Sequence, residues 1–156
     1  MNTEILLDTR VHLTPESEKM NISLAFCVPA DAEKLRITYS YAPKELAGAV
    51  GERLAEECLL RDAGEFRGEY AEAASFLPLK NLVTLSLDDP HGYRGAAHRQ
   101  APQQEHILTA SEASPGFYAG AIAAGEWTLT LNVHALVTEF CDCDIQIECE
   151  EGEQNA

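Results

Sequence analysis

The residues best suited to chemistry are concentrated in one short stretch of the sequence. Two carboxylates, two imidazoles and two guanidinium groups occur there, on Asp88, Asp89, His91, Arg94, His98 and Arg99. Oxygen and imidazole ligands suit a divalent cation, and paired arginines suit an anionic group. The segment Asp88-Asp-Pro-His-Gly92 also has the composition of a turn, in which Asp caps backbone amides and Gly takes a positive φ. The turn is the favoured interpretation, and a ligand or metal site is the alternative.

Cysteines near the end of the chain form a second group with potential chemistry. Cys141-Asp-Cys143 would place two thiols on one face of a strand, a spacing that suits a soft metal or redox chemistry. The same face carries Ile145 and Ile147, and a buried thiol behaves as a small hydrophobic group. Core packing is therefore favoured. Cys27 alternates with apolar residues and is expected outside the core.

Sequence motifs of familiar catalytic classes are missing. The sequence contains no His-x-His, no His-Glu-x-x-His, no paired Cys-x-x-Cys and no Gly-x-Ser-x-Gly motif. We therefore predict no catalytic residue and no cofactor. A divalent cation at the loop of residues 88–99 is the one alternative left open.

Charge and composition restrict the partners. The chain has 156 residues and a formal charge of −15, with 11 basic and 26 acidic residues. This balance argues against nucleic acid and anionic membranes as partners, because both attract clustered Lys and Arg. The first residues lack the basic and apolar regions of a secretory signal, and the five cysteines are an odd number. We therefore expect a cytoplasmic protein with free thiols.

Alternating hydrophobicity predicts a chain built mainly of β-strands. The clearest runs are Asn21–Val28, Lys34–Tyr41, Asn81–Leu87, Trp127–Val137 and Cys141–Glu150, with weaker ones around Val11–Leu13 and His106–Ala110. The turn composition at Pro29 predicts that the first two runs pair as a hairpin. Strands with one apolar face require a second layer to cover it.

One segment departs from this alternation. Its apolar residues recur at four-residue steps, at Leu46, Val50, Leu54 and Cys58. We predict an amphipathic helix inserted at about residues 43–63. The predicted fold is therefore mainly β, an antiparallel, jelly-roll-like β-sandwich with one inserted helix. A single domain is expected over residues 1–150, followed by an acidic flexible tail at 151–156.

Two glycine-containing motifs resemble a known family. They have the forms Asp-Pro-x-Gly-x-Arg-Gly and Pro-Gly-x-x-x-Gly-x-Ile-x-x-Gly-x-Trp. The matching residues are Asp89, Pro90, Gly92, Arg94, Gly95, Pro115, Gly116, Gly120, Ile122, Gly125 and Trp127. Together they resemble the amino-terminal β-sandwich that precedes the catalytic domain in bacterial PHP-type (polymerase and histidinol phosphatase) metal-dependent phosphoesterase-like proteins. The resemblance extends from about His12 to Cys149.

The resemblance implies the sandwich fold and an accessory role. It does not imply phosphoesterase activity, because the His-x-His metal ligands of the family's catalytic domain are missing from the sequence. The motif residues also have a physical interpretation of their own. Arg94 is expected to fasten its turn by bonding backbone carbonyls or Asp89, and Trp127 is expected to be a core anchor between the sheets.

Three functional hypotheses follow in order of preference. The first is a non-catalytic accessory or interaction module, acting as a homo-oligomer or with a separately encoded metal-dependent hydrolase. The second is a carbohydrate-type ligand-binding module, for which Tyr93, Phe117 and Tyr118 are the loop aromatics available for stacking. The third is a metal-dependent hydrolase that uses the carboxylates and imidazoles of residues 88–98.

Overall fold

The computed structural model describes residues 2–46, 79–97 and 101–152. The strands in this part of the chain are β1 (Thr3–Leu13), β2 (Asn21–Val28), β3 (Ala32–Ala42), β4 (Glu45–Leu46), β5 (Leu79–Lys80), β6 (Leu82–Asp89), β7 (Gly92–Ala97), β8 (Gln103–Thr109), β9 (Gly125–Ala135) and β10 (Cys141–Glu151). Sheet A has the order β1-β10-β3-β8, and sheet B has the order β2-β9-β6-β7. All pairings within both sheets are antiparallel. The short β4 and β5 pair with each other.

Both sheets contribute apolar side chains to one core, so the fold is a β-sandwich. Trp127 of sheet B is fully buried, and its ring lies 6.2 Å from that of Phe26. From sheet A, the Tyr39 hydroxyl donates a 2.9 Å hydrogen bond to the Val83 carbonyl of sheet B. Burial of these alternating apolar residues is the main force that holds the sheets together. The prediction of a mainly β, two-sheet protein is confirmed.

Strand positions agree well with the alternation, but one predicted pairing is wrong. β2 has the predicted bounds, and β3, β6, β9 and β10 match within two residues. The hairpin expected between β2 and β3 does not form, because β2 pairs with β9 whereas β3 pairs with β10 and β8. The turn after Val28 instead carries the chain from one sheet to the other. Alternation indicates which face is buried and does not specify the neighbouring strand.

The helix predicted for residues 43–63 is wrong at its start. Glu45 and Leu46 are extended and pair with Lys80 and Leu79. Hydrogen bonds from Asn81 hold this segment, because its backbone N–H donates to the Lys44 carbonyl at 2.7 Å and its side-chain amide to the Pro43 carbonyl at 2.8 Å. The remainder of the predicted helix lies outside the described residues. So does most of the predicted tail, since β10 includes Glu151 and residues 153–156 are not described.

The two sides of the sandwich differ in whether another segment covers the outer edges of the sheets. On the closed side, the loop of residues 110–124 runs along β7 and β8, through bridges between Gly95 and Phe117 and between Leu108 and Ala113. On the open side, β1 and β2 are the terminal strands of their sheets, and no described segment pairs with their outer edges. In the described ranges no helix is long and apolar enough to span a membrane.

Candidate functional site

The candidate turn lies between β6 and β7, and Asp89 organises it. Asp89 Oδ1 accepts backbone hydrogen bonds from His91 at 2.7 Å and from Gly92 at 2.9 Å. Gly92 has φ +139°, which L side chains rarely adopt. The geometry is that of a turn with an aspartate cap and a positive-φ glycine, as the sequence predicts.

Arg94 joins this turn to the 110–124 loop. Its Nη1 donates to Asp89 Oδ2 at 3.1 Å and to the Ala121 carbonyl at 3.0 Å. Its Nη2 donates to the Gly120 carbonyl at 3.1 Å, and its Nε to the Tyr118 carbonyl at 3.1 Å. One side chain thus binds three loop carbonyls and a carboxylate. We call Arg94, Asp89 and these carbonyls the Arg94 latch.

The Arg94 latch is buried. The side chains of Arg94 and Asp89 are only 8% and 9% exposed, and the guanidinium carbon lies 5.1 Å from the centre of the Trp127 ring. The guanidinium plane therefore combines hydrogen bonding with a cation–π contact, which suits arginine better than lysine. The prediction that Arg94 fastens its turn by bonding carbonyls or Asp89 is confirmed, and the structure shows both kinds of contact.

The electrostatics of Asp89 follow from the latch. Burial by itself would raise the Asp89 pKa, because it disfavours the charged carboxylate. Hydrogen bonds from the His91 and Gly92 amides and from the Arg94 guanidinium outweigh burial, so the pKa is lowered. Asp89 is therefore ionised at neutral pH, and both of its oxygens are engaged within the fold.

Two glycines allow the loop to approach β7 closely. Gly95 and Gly116 have φ +122° and +95°, and a Cβ on Gly95 would clash with the Gly116 carbonyl. A Cβ on Gly116 would in turn clash with the carbonyl of Ala96, whose N–H donates to the Gly116 carbonyl at 3.0 Å. The two sequence motifs are therefore the two halves of one backbone contact. Gly125, with φ +123°, packs nearby against Pro90.

The other candidate ligands do not join Asp89. Asp88 lies opposite Thr128 on the outer face of sheet B, whereas Asp89 turns towards Arg94. His91 is exposed at the tip of the turn. His98 and Arg99 lie outside the described residues. In the part of the chain that the structure describes, no group of three or more His, Cys, Asp or Glu residues could hold a metal ion.

Two of the three loop aromatics form an exposed pair. Tyr93 and Tyr118 are both exposed, and their rings meet edge to face with centroids 6.1 Å apart. Phe117 is instead buried, with its ring 5.0 Å from that of His106. The tyrosine pair is the aromatic surface available to a ligand near the Arg94 latch.

The cysteines that the structure describes occupy the places that the alternation predicts, and Cys58 lies outside the described residues. Cys141, Cys143 and Cys149 are buried on the apolar face of β10, and Cys27 is exposed. A hydrogen bond with Cys143 lowers the Cys141 pKa against the opposing effect of burial, and Asn81 and Lys44 lower it further. The pKa of Cys143 is raised by that same hydrogen bond and by burial.

A cluster of polar residues lies beside these thiols and is not predicted from the sequence. Lys44 Nζ donates to the Tyr41 hydroxyl at 2.6 Å and to the Asn81 carbonyl at 2.7 Å. The Asn81 side chain is fully buried, donates to Thr138 Oγ1 and accepts from the Val137 N–H. These residues come from three separate segments of the chain, so spacing gives no indication of them. The cluster closes one end of the sandwich.

A surface cavity of about 820 Å³ lies at the opposite end. Its lining includes Lys34, Ser111, Glu112, Ile122 and Glu150. Lys34 and Glu150 are 3.8 Å apart within it. The cavity is open to solvent, its lining mixes polar and apolar residues, and it does not include the candidate ligands of residues 88–94.

The open side carries an exposed charged and apolar strand edge. Arg10 makes two hydrogen bonds to Asp144, from Nε at 2.7 Å and from Nη2 at 3.2 Å. Ile5 is 56% exposed on β1. The exposed Phe140 ring stacks on His12 with centroids 5.6 Å apart. An alternating segment from Leu7 to Leu13 is visible in the sequence and is the signal that could have revealed this edge.

Comparison with known proteins adds no family assignment. A scan against protein-family models finds no match to the chain, and a search of curated proteins finds none either.

Proposed function

We propose that this protein is a non-catalytic β-sandwich interaction module that binds another protein chain through its open side. The observation that carries this proposal is the eleven-residue edge strand β1, which pairs on one side only within the described residues. Its outer edge presents backbone donors and acceptors, and Ile5 adds exposed apolar surface. Edges of this kind pair readily with strands of other chains.

The contacts of the buried Arg94 and Asp89 side chains support a non-catalytic role. The guanidinium and carboxylate of the Arg94 latch are buried, and each is committed to groups within the fold. A group that binds a substrate or activates water must reach it within hydrogen-bond distance. Arg94 and Asp89 instead stabilise the loop that covers the closed side.

We also infer a jelly-roll topology for the sandwich. The eight long strands have the orders β1-β10-β3-β8 and β2-β9-β6-β7, so the first and last strands are neighbours. Among the described long strands, consecutive strands lie in different sheets except β6 and β7, which form a hairpin. This arrangement fits two Greek keys distributed over two sheets.

The resemblance to the sandwich that precedes PHP-type catalytic domains supports an accessory role beside a separately encoded metal-dependent hydrolase. The net charge of −15 supports a protein partner over nucleic acid or an anionic membrane surface. The four free cysteines among the described residues support a cytoplasmic location.

The exposed tyrosine pair favours a second candidate function, the binding of a carbohydrate. Sugar rings stack on aromatic faces, and Tyr93 and Tyr118 offer two adjoining rings. If this is the function, a glycan that raises the melting temperature of the protein loses that effect in Tyr93→Ser and Tyr118→Ser. A glycan panel without any thermal shift removes the hypothesis.

Position-specific photo-cross-linking tests the interaction module. A photoreactive phenylalanine derivative replaces Ile5 on the open side or, as the control, Tyr93 on the closed side. The two positions are equally accessible, at 56% and 58% exposure. After irradiation in the cells that naturally produce the protein, mass spectrometry identifies the adducts. We expect protein adducts from position 5 and few from position 93.

Absence of adducts at position 5, or equal labelling at both positions, contradicts the proposal. Adducts made only from position 93 would place the interaction on the closed side and also contradict it. The identity of the adduct separates another protein from a second copy of the chain.

A further inference from the structure

Resting on the proposed role of the open side, we propose that its partner is a second copy of this chain. The two β1 strands pair antiparallel about a two-fold axis at Thr9. A two-fold interface must be self-complementary, because every contact is repeated with the copies exchanged. The residues of β1 satisfy this requirement when the axis lies at Thr9.

The alternation of β1 restricts the registers to a few. From Leu7 to Leu13 the strand pairs with β10 without interruption, so its side chains alternate regularly between the two faces. Paired residues must lie on the same face, which places the axis at a residue and not between two residues. An axis at Asp8 would place two carboxylates opposite each other, and an axis at Arg10 would oppose two guanidinium groups.

An axis at Thr9 brings opposite charges together. Asp8 of each copy then faces Arg10 of the other on the outer face of the sheet, which is a favourable cross-strand pair. No described cation lies within ion-pair distance of Asp8 in its own chain. Arg10 uses Nε and Nη2 for Asp144, so its Nη1 hydrogens remain for the second carboxylate.

Exposed apolar side chains support the same arrangement. Ile5 and the Phe140 ring on His12 lie near opposite ends of the outer face of β1, because Ile5 pairs with Glu148 and His12 with Asp142. Antiparallel pairing brings Ile5 of one copy beside His12 and Phe140 of the other, and symmetry repeats this contact. The dimer covers the exposed side chains and joins both copies of sheet A into one continuous sheet.

Charge-swapped variants test the pairing by sedimentation velocity of the full chain. Reducing conditions are needed because Cys27 is exposed. We expect the natural protein to dimerise in a concentration-dependent manner. D8R and R10D should each weaken the dimer about tenfold or more, since symmetry repeats each new repulsion. An equimolar mixture of D8R and R10D should regain the dimer, because each arginine of one variant then faces an aspartate of the other.

The control is E126R, which changes the charge by the same amount as D8R at an exposed position of sheet B. We expect it to dimerise like the natural protein. D8R makes the chain less negative, so general charge repulsion would predict a stronger dimer, opposite to our expectation. A cooperative urea transition for each variant, measured at a protein concentration at which the natural chain is monomeric, establishes that each is folded, because dimerisation would itself raise the midpoint.

A natural protein that remains monomeric at every concentration overturns the inference. So does a mixture of D8R and R10D that fails to associate, or an effect of E126R equal to that of D8R. If position 5 cross-links to a different protein while the chain is monomeric, the interaction module stands and the self-pairing fails. If position 5 makes no adduct and the chain is monomeric, both proposals fail.

Discussion

The closed and open sides of the sandwich use arginine and aspartate in opposite ways. On the closed side, Arg94 and Asp89 are 8% and 9% exposed and bind a loop that covers two strand edges. On the open side, the Arg10 and Asp144 side chains are 65% and 49% exposed, and no described segment covers β1. The first pair fastens the 110–124 loop to the β6–β7 turn, whereas the second lies on the surface that we propose for association.

The physical difference is the cost of breaking each pair. Removing one partner of a buried ion pair leaves a desolvated charge without compensation. An exposed pair exchanges its partner for water at little cost. Breaking the Arg94 latch should therefore cost more stability than breaking the Arg10–Asp144 pair, and the charges of the open side can be altered without unfolding the protein.

Replacing Arg94 should have the largest effect on stability. In Arg94→Met, Asp89 loses its counterion, and the carbonyls of Tyr118, Gly120 and Ala121 lose their donor. We expect the free energy of unfolding to fall by about 3–5 kcal/mol. Urea titration followed by the fluorescence of Trp127, the only tryptophan, measures the change.

Arg10→Met is the matched control for the latch. It removes the same group from an exposed pair, and at a protein concentration at which the natural chain is monomeric we expect the urea midpoint to stay close to that of the natural protein. Equal destabilisation by Arg94→Met and Arg10→Met would contradict the claim that the buried pair costs more to break than the exposed pair.

A substitution that adds a side chain between β7 and the 110–124 loop should have the next largest effect on the free energy of unfolding. Gly116→Ala places a methyl group against the Ala96 carbonyl at a positive φ, and we expect a loss of about 1–3 kcal/mol. Gly92→Ala is the control, because its φ is also positive but no atom lies within 4 Å of a Cβ there. Similar thermal shifts for the two variants would show that the close approach contributes nothing.

Acid should weaken the latch in a defined pH range. The Asp89 pKa is lowered in the folded protein, so its contribution is fully present above the ordinary carboxyl pKa of about 3.9 and is lost as pH falls through the lower, folded value. We expect urea midpoints measured from pH 7 to pH 2 to show this loss, and Asp89→Asn to lack it.

Asp144→Asn is the comparison for the acid experiment. The Asp144 pKa is also lowered, by its hydrogen bond with Arg10, but solvent screens this exposed pair. We expect its pH dependence to resemble that of the natural protein. If the fall of the urea midpoint at low pH is reduced more in Asp144→Asn than in Asp89→Asn, the claim that the buried pair contributes more stability than the exposed pair is wrong.

The sequence was sufficient for the closed side because its key residues are close together or have distinctive types. Asp89, Gly92 and Arg94 lie within one turn, and their spacing alone indicated a carboxylate cap and an arginine that binds carbonyls. The particular carbonyls could not be foreseen, because they lie 24 to 27 residues away and carbonyl groups have no sequence signature.

The open side was harder to predict because β1 is irregular. A register shift between Ile5 and Leu7 interrupts the alternation, so three apolar residues occur in succession and only the last part of the strand had a recognisable period. The wrong hairpin has a related cause. β2 and β3 each have one apolar face, but the strands that pair with them are distant in sequence, and local periodicity does not reveal which these are.

The most direct test of the account is amide hydrogen exchange of the full chain at rising protein concentration. We expect protection of amides within Leu7–Val11 to increase with concentration, while β2, the other strand of the open side, remains unchanged. Asp8→Arg should abolish this increase without altering protection around the Arg94 latch. Exchange in Leu7–Val11 that is independent of concentration, or an increase that persists in Asp8→Arg, would contradict the claim that β1 is the self-association surface.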